Sequence, residues 1–234
     1  MLKVRIKFRK DGISKFIGHL DMMRYFQKAM RRADIPIAFS GGYSPHMIMS
    51  FAQPLGIGLT SDGEYMDIEI TEHISSKDAV AQLNKAMIED VEVKSFLQIS
   101  EEKKDSGMTI IAAADYAFTP NEAQQALFTE EKVVEFMARE SIVVLKKTKR
   151  SEKEVDIKPM IHTFAMRDGK AFMCLAAGSE VNLKPELVIS AFLDFQGADT
   201  ATLPIQFRRL ELYAKDKQDP SQLVTLDSLG KEII

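Results

Sequence analysis

The sequence predicts an α+β fold made of two ferredoxin-like (βαββαβ) halves in tandem, the second decorated with an extra hairpin. Three observations predict it. Strand and helix periodicities follow the order β-α-β-β-α-β across residues 1–100, and the same order recurs over residues 107–213. Between them, Glu101-Glu102-Lys103-Lys104-Asp105-Ser106-Gly107 is charged and free of apolar residues, as a linker would be. The halves share no evident sequence identity, so the duplication is one of element order.

Residues 2–9 alternate strictly, Leu2, Val4, Ile6 and Phe8 on one side and Lys3, Arg5, Lys7 and Arg9 on the other. Period two predicts a strand with one buried and one exposed face. A helix over 19–33 follows, its apolar face carrying Leu20, Met23, Phe26, Met30 and Ala33. Strands are expected near 35–39 and 47–59, split by a glycine-rich loop, and a strand at 64–71 sends Met66, Ile68 and Ile70 inward. Ser75 or Ser76 caps a helix to about 88, and Val91, Val93 and Phe96 mark the next strand. The second half reads as a strand at 108–118, helical segments over 121–139 and a strand at 141–147. After these come a hairpin (155–166 and 170–177, turning at Asp168-Gly169), a helix at 184–195 and a strand at 203–213. Residues 214–234 form a tail that is polar to residue 222 and able to dock or fray beyond it.

The chain has 234 residues, 45% hydrophobic and 28% charged, an ordinary globular composition. No apolar run approaches the ~20 residues of a membrane-spanning helix, and the N-terminus reads as a strand, so a cytoplasmic location without membrane partners is expected. Cys174 is the one cysteine; it allows no internal disulfide or cysteine-rich metal site, and its neighbours Phe172, Met173 and Leu175 predict a buried structural thiol. No metal-ligand spacing or cofactor fingerprint is present, and none is expected to bind. The net charge of −3 conceals an asymmetry, because residues 1–50 hold ten Lys/Arg against three Asp/Glu. Such a split marks a surface for an anionic partner or an attraction between the halves.

Four groups of residues qualify as sites. The basic strand face is either a nucleic-acid platform or a ladder of ion pairs with Asp67 and Glu69 of the neighbouring strand. Arg24, Lys28 and Arg31 form a basic helix stripe, and the same helix starts at His19, where free N–H groups favour phosphate. The loop Gly41-Gly42-Tyr43-Ser44-Pro45-His46 joins backbone freedom to a ring for stacking, the hydroxyl of Ser44 and an imidazole; a plain turn is its alternative. Lys146, Lys147, Lys149, Arg150 and Lys153 form a basic run at a strand end, of which Lys147, Lys149 and Arg150 are candidates for phosphate contacts.

Phe16-x-Gly18-His19-Leu20-Asp21, Arg31-Arg32-Ala33-Asp34-Ile35-Pro36, Ser40 to His46, Ser50-Phe51, Pro54-Leu55-x-Ile57-Gly58, Glu64-Tyr65-x-Asp67-Ile68 and Val155-Asp156-Ile157-Lys158-Pro159 together resemble the bacterial radical-SAM-linked proteins, a domain of unknown function. The resemblance covers nearly the whole chain. It implies a partner, since members are encoded beside or fused to a radical SAM protein; this chain lacks the cluster-binding cysteines and would be the separate component. At the level of element order the chain is also similar to the repeat-associated RNA-binding proteins of CRISPR systems. The expectation is a non-catalytic RNA-binding accessory of a radical SAM enzyme acting in RNA modification, on transfer or ribosomal RNA. Two alternatives stand beside it: a metal-independent endoribonuclease using His19 or His46, and a protein adaptor for the radical SAM subunit.

Overall fold

The computed structural model describes residues 1–147, 152–198 and 205–234 of the chain. The fold is α+β, and it divides into two compact units: residues 1–112 with 209–234, and residues 113–208. Among the described residues no helix is long and apolar enough to cross a membrane.

In the first unit β1 (Leu2–Lys10) is flanked by β3 (Thr60–Ile70) and β4 (Val91–Gln98), both antiparallel to it. β2 (Met49–Phe51) pairs with the later half of β3, Met49 opposite Ile68 and Phe51 opposite Met66. β10 (Arg208–Lys215) also neighbours β3, and β12 (Lys231–Glu232) adds to the far edge of β4. The alternation in β1 does what period two demands. Val4, Ile6 and Phe8 pack with Met66, Ile68 and Ile70 of β3 under α1 (His19–Arg32) and α2 (Ser76–Ala86) in one core. Met22, Phe26 and Met30 come from α1, and Ala79 and Leu83 from α2.

Several expectations are corrected. The second face of β1 is covered as well: Arg5 is 1% exposed. Its guanidinium grips Asp67 at 2.8 and 2.9 Å and donates to the carbonyls of Asp105 and Leu226. Lys7 pairs with Glu211 and Asp227, and Arg9 lies near Asp11 and Glu92. Lys3 opposes Glu69 in register, yet its ammonium donates to the Glu101 carbonyl. The stretch 101–107 is therefore a docked segment, and the strand expected from residue 108 starts only at Ile111, after the single helical turn α3 (Gly107–Ile110). Asp105 is buried, and Gly107 N–H donates to Asp67 Oδ2 at 2.7 Å, because charged side chains facing the sheet need partners once water leaves. The strand expected at 47–59 ends at Phe51, and a turn carries the chain through Pro54 to Gly58. Of the two alternatives for the C-terminal residues, docking holds: β11 (Leu223–Thr225) pairs with β10, and Ile233 is buried with its N–H on Ser76 Oγ.

In the second unit β5 (Ile111–Phe118), β9 (Lys170–Ala176) and β8 (Ile161–Arg167) form an antiparallel sheet with β9 in the middle. The β8–β9 turn falls at Asp168-Gly169, both at positive φ. The strand expected over 155–166 is divided. β7 (Glu152–Asp156) pairs with β6 (Val143–Lys147) in a separate hairpin, and a turn at Lys158–Met160, where Pro159 has no N–H to give a ladder, precedes β8. Regular helix in 121–139 is limited to α4 (Glu130–Met137), capped by Thr129; α5 is Pro185–Phe195. Phe128, Phe136, Phe164 and Phe192 interlock edge-on or tilted at the centre of this unit.

Candidate functional site

α1 forms because its apolar residues recur at three- and four-residue steps, and burying Met22, Phe26, Ala29 and Met30 leaves the opposite face in water. Arg24, Lys28 and Arg31 all lie on that exposed face, at i, i+4 and i+7. Arg24 pairs with Asp21 at 3.0 Å, both well exposed, an interaction worth a few tenths of a kcal/mol. Among the described residues no carboxylate pairs with Lys28 or Arg31. Arg31 and Arg32 occupy the last turn, where the helix dipole favours cations.

The chain leaves α1 through Ile35, whose N–H donates to the Met30 carbonyl, and reaches the Ile70 end of β3 at the Ile37–Ile70 bridge. Here the glycine-rich loop is pinched at its neck. Ser40 N–H donates to the His46 carbonyl at 2.9 Å, His46 N–H to Ser40 Oγ at 3.1 Å, and Ser40 Oγ lies 2.8 Å from His46 Nδ1. Beyond the neck Gly41, Gly42, Tyr43 and Ser44 are all exposed. Gly42 takes a φ of +97°, which a residue with a Cβ rarely adopts. The result is a projecting turn with the Tyr43 ring held in solvent. The pairing places this loop at the same end of the unit as the last turn of α1.

His19 sits at the other end. Its ring meets Phe51 edge-on at 5.3 Å, whereas His46 precedes Phe51 by five nearly extended residues, a span of about 16 Å. The two histidines are not brought together. Nor does Asp21 serve His19, since its carboxylate is taken by Arg24. His19 instead lines a cavity of about 20 Å³ with Phe8, Lys10, Ile17, Met22, Phe51, Pro54, Leu55 and Glu64. Both charged residues here are buried. Lys10 Nζ donates to the Ile17 carbonyl at 2.8 Å, and Glu64 accepts two hydrogen bonds from Arg209, one at 2.7 Å. Burial is the chief cause that lowers the Lys10 ammonium below its ordinary range; the Glu64 charge opposes this and Arg209 reinforces it.

Lys10, Glu64 and Arg209 are not among the site residues expected from sequence, although Glu64 opens the motif Glu64-Tyr65-x-Asp67-Ile68. For two of them the signal is present. Lys10 continues the inward series Leu2, Val4, Ile6, Phe8, and Glu64 precedes Met66, Ile68 and Ile70 in phase, so each is a charge at a core position. Arg209 announces itself by no such pattern.

The remaining candidates fare differently. Lys147 ends β6 opposite Glu152, while Lys149 and Arg150 lie outside the described residues. Among the described residues no group of three or more His, Cys, Asp or Glu is placed to hold a metal. Cys174 is half-buried; burial foremost, with Asp115 beside it, pushes its thiol up to about 12. Such a thiol is protonated at neutral pH and unreactive.

Residues 3–185 match the model of a family described as an uncharacterized protein conserved in bacteria, DUF2344. No curated protein matches the chain.

Proposed function

The chain belongs to this uncharacterized bacterial family, and on that premise we propose that it is a non-catalytic RNA-binding accessory protein that presents RNA to a radical SAM enzyme. The observation that carries the reading is the arrangement at one end of the first unit. An exposed cation stripe runs toward the end of the unit that carries a glycine loop, and that loop holds an unburied tyrosine out in water. Arg24, Lys28 and Arg31 contact phosphates in this reading, Tyr43 stacks on a base, and Gly41, Gly42 and Ser44 let the strand approach the backbone. His46 closes the neck of that loop, and Lys147, Lys149 and Arg150 remain candidates for phosphate contacts on their charge in the sequence.

We read the first unit as ferredoxin-like, a reading supported by its strand order β4-β1-β3-β2 with α1 and α2 in one core. The second unit is read likewise from element order, with β6–β7 as its decoration. RNA does not use the sheet face in this reading, because Arg5 and Lys7 are spent on internal carboxylates and Lys3 on the Glu101 carbonyl.

Filter binding of single-stranded RNA across a salt series tests the proposal. Log affinity falls steeply with log salt, and the R24A/K28A/R31A variant binds more weakly with a slope shallower by about two to three. Tyr43→Ala costs about 1–3 kcal/mol at every salt concentration. Absence of binding at low salt ends the proposal.

A second reading, the adaptor, is favoured by one observation. Val143 and Leu145 are exposed around a groove of about 450 Å³ between α4, α5 and β6. Co-purification of the radical SAM protein that survives R24A/K28A/R31A, without RNA, selects it.

A further inference from the structure

The cavity beneath His19 extends the RNA reading, on which its choice of ligand source rests. Its floor carries charge at positions the sheet reserves for apolar side chains. Lys10 is 3% exposed, and an ammonium has three N–H donors. One of them goes to the Ile17 carbonyl, and among the described residues no carboxylate lies within ion-pair distance of Lys10. Glu64, the acid that acts on it, is already held by two hydrogen bonds from Arg209.

A cation taken out of water without an anion in contact is costly. The space beside it, about 20 Å³, holds one atom the size of a water oxygen and far less than a base. Phe8, Met22, Phe51 and Leu55 give the cavity apolar surface, Lys10 and Glu64 give it charge, and with the Glu64 carboxylate held by Arg209 it is Lys10 that supplies the hydrogen-bond donor. Toward solvent the lining includes a partly exposed imidazole. His19 stands there, and α1 begins at it behind Gly18, a residue with no side chain to cap the first turn.

We propose that this cavity seats one anionic oxygen of a phosphate group, bound by Lys10 Nζ, with the remaining oxygens outside beside His19 and the first turn of α1. A tetrahedral phosphate fits this division, one oxygen in and the others at the mouth, better than a planar carboxylate, which has a single oxygen left to offer. The phosphate belongs either to the RNA backbone or to a free phosphorylated ligand, and the chemistry of the seat is the same for both.

The test titrates the isotopically labelled full chain with inorganic phosphate and, separately, with acetate at matched ionic strength, reading the His19 ring resonances by NMR. Phosphate moves them saturably and acetate does not, and Lys10→Met abolishes the response. No shift in the wild type, or an equal shift in Lys10→Met, overturns the seat. Should Lys10→Met fail to fold, Leu55→Trp decides, since its larger side chain fills the cavity and leaves every charge in place; a saturable shift that persists in it overturns the proposal. In the RNA arm Lys10→Met lowers affinity about tenfold and the salt slope by about one, while R24A/K28A/R31A retains the phosphate response. Phosphate binding without RNA binding removes the RNA reading and leaves the seat for a free phosphorylated ligand. RNA binding without a phosphate response does the reverse.

Discussion

Glu64 faces the core side of β3 and accepts two hydrogen bonds from Arg209, both side chains all but sealed from water. A buried pair of this kind adds little over an apolar replacement, but losing one partner strands the other. Glu64→Gln removes the carboxylate charge that acts on Lys10 and that Arg209 holds at this position. The expected loss is about 3 kcal/mol or more in urea unfolding; a loss below about 1 kcal/mol would show that the site relaxes into water. Tyr43 is the opposite case. It contributes nothing visible to packing, so Tyr43→Ala is expected to leave the urea midpoint unchanged while weakening RNA retention.

Elements here are specified by local rules and then trimmed by their surroundings. α2 starts where Ser75 Oγ accepts the Asp78 N–H at 3.1 Å and donates to the Asp78 carboxylate at 2.8 Å. Ser75→Ala is expected to cost about 1 kcal/mol, read as a lower thermal midpoint, and Ser75→Asp to recover most of it. At β3 the deciding contact is between strands. A Cβ on Gly63 would meet the Leu210 carbonyl at 2.7 Å, so β10 can lie against β3 only because that position carries no side chain. α1, α2, α5 and the strands β1, β3, β4 and β9 were legible within a few residues because their periodicities run over whole elements, whereas α4 is shorter than the span expected over 121–139 and β5 starts later than expected. The short β2 and the divided segment 155–166 were not, since a three-residue strand has no period and a turn among apolar residues hides within it.

At the scale of the whole molecule, the C-terminal residues close the polar face of the first sheet. Asp227 joins Lys7 there, and Glu211 takes both Lys7 and the Tyr65 hydroxyl. Burial works to raise the Asp227 carboxyl, but the Thr225 hydrogen bond, the Lys7 charge and the Tyr65 hydrogen bond outweigh it and hold it below its usual range. A depressed carboxyl stabilises the fold above its unfolded value of about 3.9 and loses that contribution as pH falls through the folded value. Urea midpoints are therefore expected to drop from pH 5 to pH 3 more steeply in the wild type than in Asp227→Asn. Equal slopes would mean that Asp227 takes no part in holding the segment down.

Periodicity alone determined the α+β class, the inward faces of β1 and β3, the core face of α1 and the outward place of Arg24, Lys28 and Arg31, because each is a property of residues near one another in the chain. Tertiary structure decided the fate of charges. Lys3, Arg5, Lys7 and Arg9 look equivalent in sequence, yet Arg5 is buried on Asp67 and Lys7 is held by residues more than two hundred positions away. Lys10, one position on, closes a cavity with Glu64. A charge reports its own sign wherever it sits, but its partner, and so whether it is free to meet a ligand, depends on which distant segment folds over it.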